Sequence, residues 1–289
     1  MTGPSPVVQR RRLRVELRKA RQDAGLTQEQ VAAAMDWSLS KLIRIEAGSV
    51  GISTTDLKAL LSHYNLEDPH QADQLVKLAK AARERSWWSG YRDVAPAGLL
   101  QLIGYETAAF IVRNFETLLI PGLLQTEEYA HAVIQVFQED ATAERVKTLV
   151  DVRMRRQELL EQDDPPLFFF ILDEAAVRRV VGGKAVMRRQ IRKLIEMAAR
   201  PNVTVEIVPF SVGAHPGLKG PFVVIEFSDP NDNDVLYLES GPSRELKSRD
   251  LADEEEWLPY REEFEQLREL SLGPDGSVAY LAELAEEAT

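Results

Sequence analysis

Residues 27–48, TQEQVAAAMDWSLSKLIRIEAG, constrain this chain more than any other stretch. Thr27 and Gln30 form a capping box, with Thr27 as N-cap and Gln30 reaching back, so a helix is expected to start there. Val31, Ala32 and Met35 give that short helix one small, apolar side. Asp36-Trp37 breaks the run, and Ser38 is placed to cap a second helix. In it Leu42 and Ile45 face inward, while Ser40, Lys41 and Arg44 share the outer face at i, i+1 and i+4. The pattern asks for two short helices joined by a tight turn, the second with a polar, basic outer side.

That is the layout of a helix-turn-helix reader of double-stranded DNA. The stretch resembles the Cro/phage-repressor (XRE) family, whose pattern is roughly T-Q-x-x-L/V-A … S-x-S-x-I/L-x-R/K-I/L-E-x-G. Here it reads Thr27-Gln28, Val31-Ala32, Ser38, Ser40, Leu42, Arg44-Ile45-Glu46 and Gly48. The resemblance extends from Val8 to Tyr64 once flanking helices are added. One departure stands at Asp36, where the family usually has Gly; Asp enters the left-handed region at more cost than Gly but tolerates it. The bland alternative is an αα-hairpin with a purely structural role. The DNA-binding residues expected are Gln28 on the phosphate backbone and Ser38, Ser40, Lys41 and Arg44 along the recognition helix. Arg44 is best placed for guanine O6/N7. Glu46 is expected to pair with a basic residue of the domain instead.

Charge distribution agrees with a nucleic-acid partner. The net charge is −11, yet residues 1–64 hold ten Lys/Arg against six Asp/Glu, a net of +4, so the other 225 residues carry −15. Such asymmetry suits a chain whose first part meets a polyanion while the rest stays clear. Arg10, Arg11, Arg12 and Arg14 crowd the start of a helix expected over 8–24, with Leu13, Leu17, Ala20 and Ala24 along one side. Cations there oppose the helix dipole by roughly 0.3–1 kcal/mol each. Contact with phosphate, through Arg11 and Arg12 above all, would explain them; a solvated basic face is the alternative. Gly25 ends the helix at the expected left-handed position.

With 289 residues, two domains are expected: a disordered tail over 1–7, a mainly α helix-turn-helix bundle over 8–85, and an α+β domain over 86–289. The absence of cysteine excludes disulfides, thiolate zinc sites and a Cys nucleophile. No apolar h-region follows the basic residues near the start, and no apolar run approaches ~18 residues. A cytoplasmic protein, at the nucleoid when bound to DNA, is expected.

Ser86-Trp87-Trp88-Ser89-Gly90-Tyr91 follows the first domain; its aromatics could stack on bases but more naturally dock a linker. Residues 108–113 and 115–120 read as two strands of a hairpin turning at Arg113-Asn114. Helices are expected over 96–106, 126–137, 142–160, 173–181, 185–199, 254–270 and 277–285. Strands are expected over 167–172, 203–208, 221–227 and 234–238. Arg145, Lys147, Arg153, Arg155 and Arg156 give the 142–160 helix a positive face that could touch DNA or simply be solvated.

Four motifs occur in order here: Pro121-Gly-Leu-Leu-Gln-Thr126 with Tyr129-Ala130, Leu172-Asp-Glu-Ala175, Pro201-Asn-Val-Thr-Val205 with Pro209-Phe210, and Gly213-Ala-His-Pro-Gly217 with Gly220-Pro-Phe222. Together they resemble the C-terminal domain of actinobacterial WhiJ-like or antitoxin-like XRE regulators. That resemblance implies a repressor-like regulator, encoded in many cases beside a small partner protein; a homodimer is expected. An antitoxin-like module that neutralises that partner, and only autoregulates through DNA, is the second reading.

No enzyme, cofactor or metal site is expected. His131 has only Glu127 and Glu128 at ligand spacing, and His215 in its glycine-flanked loop has no G-x-S-x-G serine beside it. Gly182-Gly183-Lys184 lacks the rest of a phosphate loop. A pocket near His215 serving a ligand-gated sensor is a third possibility.

Overall fold

Short polar side chains start most helices of this chain. The computed structural model describes residues 5–66, 68–229, 232, 234–238, 247–249 and 254–287. It divides into two compact units, Met1–Ser89 and Gly90–Thr289.

The first unit holds α1 (Pro6–Asp23), α2 (Gln28–Ala34), α3 (Leu39–Glu46), α4 (Thr54–His63) and α5 (Pro69–Ala81). Thr27, Ser38, Ser53 and Asp68 each accept a hydrogen bond from a backbone N–H of the turn they open, answering donors that a helix start leaves unpaired. Leu17, Val31, Leu42, Leu57, Leu60 and Leu75 meet in one core cluster and are all but inaccessible to water. The tail expected over 1–7 does not include residues 5–7: Ser5 is buried and α1 already begins at Pro6, whose fixed φ suits a first helical turn. Residues 1–4 lie outside the described residues. Trp87 and Trp88 meet edge to face with ring centroids 5.6 Å apart, and Trp88 is buried rather than offered for stacking.

The second unit is α+β, as its pattern implied. Its elements are α6 (Ala97–Glu106), β1 (Ile111–Glu116), α7 (Glu127–Phe137), α8 (Ala143–Gln157), β2 (Leu167–Asp173), α9 (Glu174–Arg178), α10 (Lys184–Ala198) and β3 (Val203–Val208), then β4 (Phe222–Glu226), β5 (Val235–Leu238), β6 (Lys247–Arg249), α11 (Glu254–Leu270) and α12 (Gly273–Glu287). Among the described residues the strands form one mixed sheet of order β3-β2-β1-β4-β5-β6. β1, β2 and β3 run parallel, and β4 lies antiparallel against β1. The acidic run 253–256 falls partly outside the described residues, and its remainder opens α11.

The hairpin expected at Arg113-Asn114 does not exist; residues 111–116 are one strand in the middle of the sheet. Two adjacent polar residues looked like a turn because their partners are remote. Arg113 Nε donates to Glu226 Oε1 at 2.7 Å and Nη1 lies 3.0 Å from Glu265 Oε1, so its charge is answered on the face that α11 covers. On the same face Phe115, Ile171, Phe222, Val224 and Phe264 form a core cluster. Gly217 is required beside it, since a Cβ there would lie 2.3 Å from the Phe115 ring.

Candidate nucleic-acid interface

The turn between α2 and α3 is built as the residues imply. Thr27 and Gln30 complete their capping box, Gln30 Oε1 accepting from Thr27 N at 2.8 Å. Asp36 takes φ 53°, the left-handed conformation the turn demands, and Trp37 N donates to Ala32 O at 2.9 Å. Ser38 Oγ accepts from Lys41 N at 3.2 Å and so starts α3. Leu42 and Ile45 are buried beneath it.

The predicted contact residues divide into two groups. Ser40 and Arg44 stand exposed on α3, and the Arg44 guanidinium makes no hydrogen bond or ion pair among the described residues. Ser38 is exposed but its hydroxyl is engaged as the cap. Lys41 is turned back: its Nζ sits 3.2 Å from Asp56 Oδ2 and 3.8 Å from the centroid of the Trp37 ring. Gln28 donates its side-chain amide to Glu46 Oε2 at 2.8 Å, leaving its carbonyl and one N–H for another partner. Glu46 is 1% exposed and also takes both Arg21 bonds, which hold that guanidinium above its ordinary pKa. The expectation that Glu46 serves the domain fits this geometry.

The basic stripe of α1 has acceptors within its own unit. Arg10 donates to Ala82 O at 3.0 Å, Arg14 to Ala47 O at 3.4 Å and Arg18 to Glu46 O at 3.3 Å. Those carbonyls end α5 and α3, where a cation offsets the negative pole of the helix and satisfies an orphan acceptor. Arg11 is buried at 8% exposure and Arg12 is half-buried, each engaged within the protein. Arg11 is thus not displayed as a phosphate ligand. Its neighbours at i−1 and i+3 reach the helix ends, and the cost of cations in the first turn is met there.

Two side chains escaped the sequence reading. Leu39 and Ile43 on α3 are 38% and 43% exposed, beside Ser40 and Arg44. Apolar residues displayed on a helix whose other face is fully packed are a signal visible in the sequence, because Leu42 and Ile45 already fill the inward positions.

Similarity to known families follows this division. A helix-turn-helix domain family matches residues 12–75. The family described as a domain of unknown function, DUF5753, matches residues 99–283, well over half of the chain. The chain belongs to the DUF5753 family. None of the curated proteins and none of the solved structures matches it. All four motifs of the second unit lie inside the DUF5753 region.

Within the DUF5753 unit three of the five basic residues expected on the positive face of α8 are engaged internally, while Lys147 and Arg155 are exposed. Arg156 clamps the buried Glu106 through both carboxylate oxygens, Arg153 donates to Gln125 Oε1 at 2.6 Å, and Arg145 reaches the carbonyls of Asp93 and Val94. The side chain of His215 is buried, with Nε2 3.1 Å from Asp173 Oδ2 and its ring edge-on to Phe115. His131 is exposed on α7. Among the described residues no three His, Asp or Glu side chains gather as metal ligands, and no helix is long and apolar enough to cross a membrane.

Proposed function

We propose that this DUF5753 chain is a sequence-specific transcriptional regulator whose α3 enters the major groove of double-stranded DNA. The observation that carries this is the exposed, unpartnered Arg44 on a capped helix of an XRE-like helix-turn-helix. Arg44 reads a guanine through O6 and N7, Ser40 contacts a base or sugar edge nearer the entering end, and Leu39 and Ile43 meet thymine methyls. Lys41 and Gln28 exchange their internal partners for phosphate on binding. A homodimer would set two such helices about 34–36 Å apart on a two-fold operator.

The resemblance of the second unit to WhiJ-like regulators supports a repressor, with no catalytic step, cofactor or metal, acting in the cytoplasm. Dimerisation, a small protein partner or ligand sensing falls to that unit. Genome-wide mapping of bound DNA, followed by gel shifts of purified protein over a salt series, tests the reading. A preferred site and a steep fall of affinity with salt are expected. Equal affinity for every fragment would overturn it.

A further inference from the structure

The first polar residue of interest away from the helix-turn-helix is Asn114. It lies in the middle of β1, 8% exposed, and its carboxamide makes no hydrogen bond, with Oδ1 buried and unpartnered. Buried amides without partners are rare, because each lost bond costs desolvation energy that nothing returns. Asn114 lines a cavity of about 380 Å³, near the lower end of the range for small-molecule sites.

Register explains why it points there. Phe170, Asn114, Val223 and Tyr237 stand opposite one another across β2, β1, β4 and β5, and all four line the cavity. Val112 and Glu116, two residues either way along β1, line it as well. The cavity also takes in residues 117–121, beyond the carboxyl end of β1. There the sheet changes direction of growth, β2 being added on one side and β4 on the other. His215 does not line the cavity; His215 packs on Phe115, which alternates with Asn114 to the opposite face. The cavity therefore lies across the sheet from His215.

The lining also selects a chemistry. Arg156 is neutralised by Glu106, Arg145 is spent on backbone carbonyls, and Arg153 and Glu116 each have interactions within the protein. Asn114 Oδ1 is, among the described lining residues, the buried polar atom left without a hydrogen bond. Leu102, Val112, Leu149, Phe170 and Val223 supply apolar wall, while Leu118 and Phe137, each more than half exposed, also line it.

We infer that the DUF5753 unit binds a small, neutral, mainly apolar molecule bearing an amide-like group, whose N–H and C=O pair with the Asn114 carboxamide. This deepens the sensing role proposed for the unit and rests on that reading only for its effect at DNA. The test uses the full chain without DNA, so its failure is separable from failure to find an operator.

Isothermal titration with N-phenylbutanamide and with its ester analogue, phenyl butanoate, reads the site directly. The amide is expected to bind roughly tenfold or more tightly than the ester, since the ester leaves one end of the carboxamide unpaired. Asn114→Leu should abolish that preference while leaving the melting temperature unchanged or higher, because it removes an unpaired polar group. Leu99→Trp, at the half-buried wall of the cavity, should block both probes and serves if Asn114→Leu fails to fold. No binding of the amide by the native chain, or equal binding of both probes unaffected by either substitution, would overturn the assignment.

Discussion

Arg21 and Glu46, 25 positions apart, meet through two parallel bonds, Nε to Oε1 at 2.7 Å and Nη2 to Oε2 at 3.1 Å. The pair ties the end of α1 to the last residue of α3, and Gln28 joins it from the start of α2. Three helices of the first unit thus converge on one buried carboxylate, which fixes the presentation of α3.

Replacing Glu46 by Gln should destabilise the first unit by about 3 kcal/mol, because it strands a guanidinium that is itself nearly enclosed. Urea unfolding followed by circular dichroism measures this. The double substitution Arg21→Met/Glu46→Leu should regain most of the loss. A single substitution without cost would show that the bidentate pair does not hold the unit together.

Arg44→Ala should leave stability within about 0.5 kcal/mol of the native chain, since the side chain is exposed and unpartnered. Its effect belongs at DNA: a loss of ~1–3 kcal/mol on the preferred site and little on random sequence. Fluorescence anisotropy with both duplexes decides. An unchanged ratio between them removes Arg44 from the groove.

Asp56 holds Lys41 at 3.2 Å, and in the proposed complex it would compete with phosphate for that side chain. Asp56→Asn should therefore raise affinity for all duplexes alike and steepen the dependence on salt by about one counterion. The exposed pair itself is worth about 0–1 kcal/mol, so folding should barely change. Affinity unaltered by the substitution would mean that Lys41 stays on Trp37 in the complex.

A pH effect is built into α9 and α12. Tyr280 Oη donates to Glu174 Oε1 at 2.6 Å, and burial first, then this bond, pushes the phenol up to about 12. Burial alone would raise the Glu174 carboxyl, but bonds from Tyr280, the Phe210 N–H and Arg178 take it below its usual range. For a group whose pKa is raised by folding, the stabilisation is complete below the unfolded value near 10 and disappears as pH climbs through the folded one. The stability advantage of the native chain over Tyr280→Phe should accordingly be constant to about pH 9 and shrink from about pH 10 to pH 12. Equilibrium unfolding of both proteins across that span measures it; a constant difference contradicts the assignment.

The helix-turn-helix was legible because its signals are local. Thr27, Ser38 and Ser53 act on donors three residues away, and Leu42 and Ile45 declare their face by spacing alone. The internal partners of the basic run of α1 are hidden for the opposite reason: Arg10 and Arg14 find acceptors at Ala82 and Ala47, which no short window contains. β1 failed in the same way. Arg113 is balanced by Glu226 and Asn114 faces a cavity assembled from four strands, so the residues that make them interior lie far along the chain.

The placement of β1 also sets an order of events during synthesis. Of the strands in this sheet it is the first in chain order, yet it lies inside, with Leu167 and Glu226 of later strands opposite Ile111 on its two sides. The first unit, in which α1 packs on α5, can complete its core once α5 has emerged. The second must keep a strand as apolar as IVRNF waiting until translation has passed residue 226. Over that interval its unpaired edges are open to wrong partners, the hazard that chaperones exist to cover.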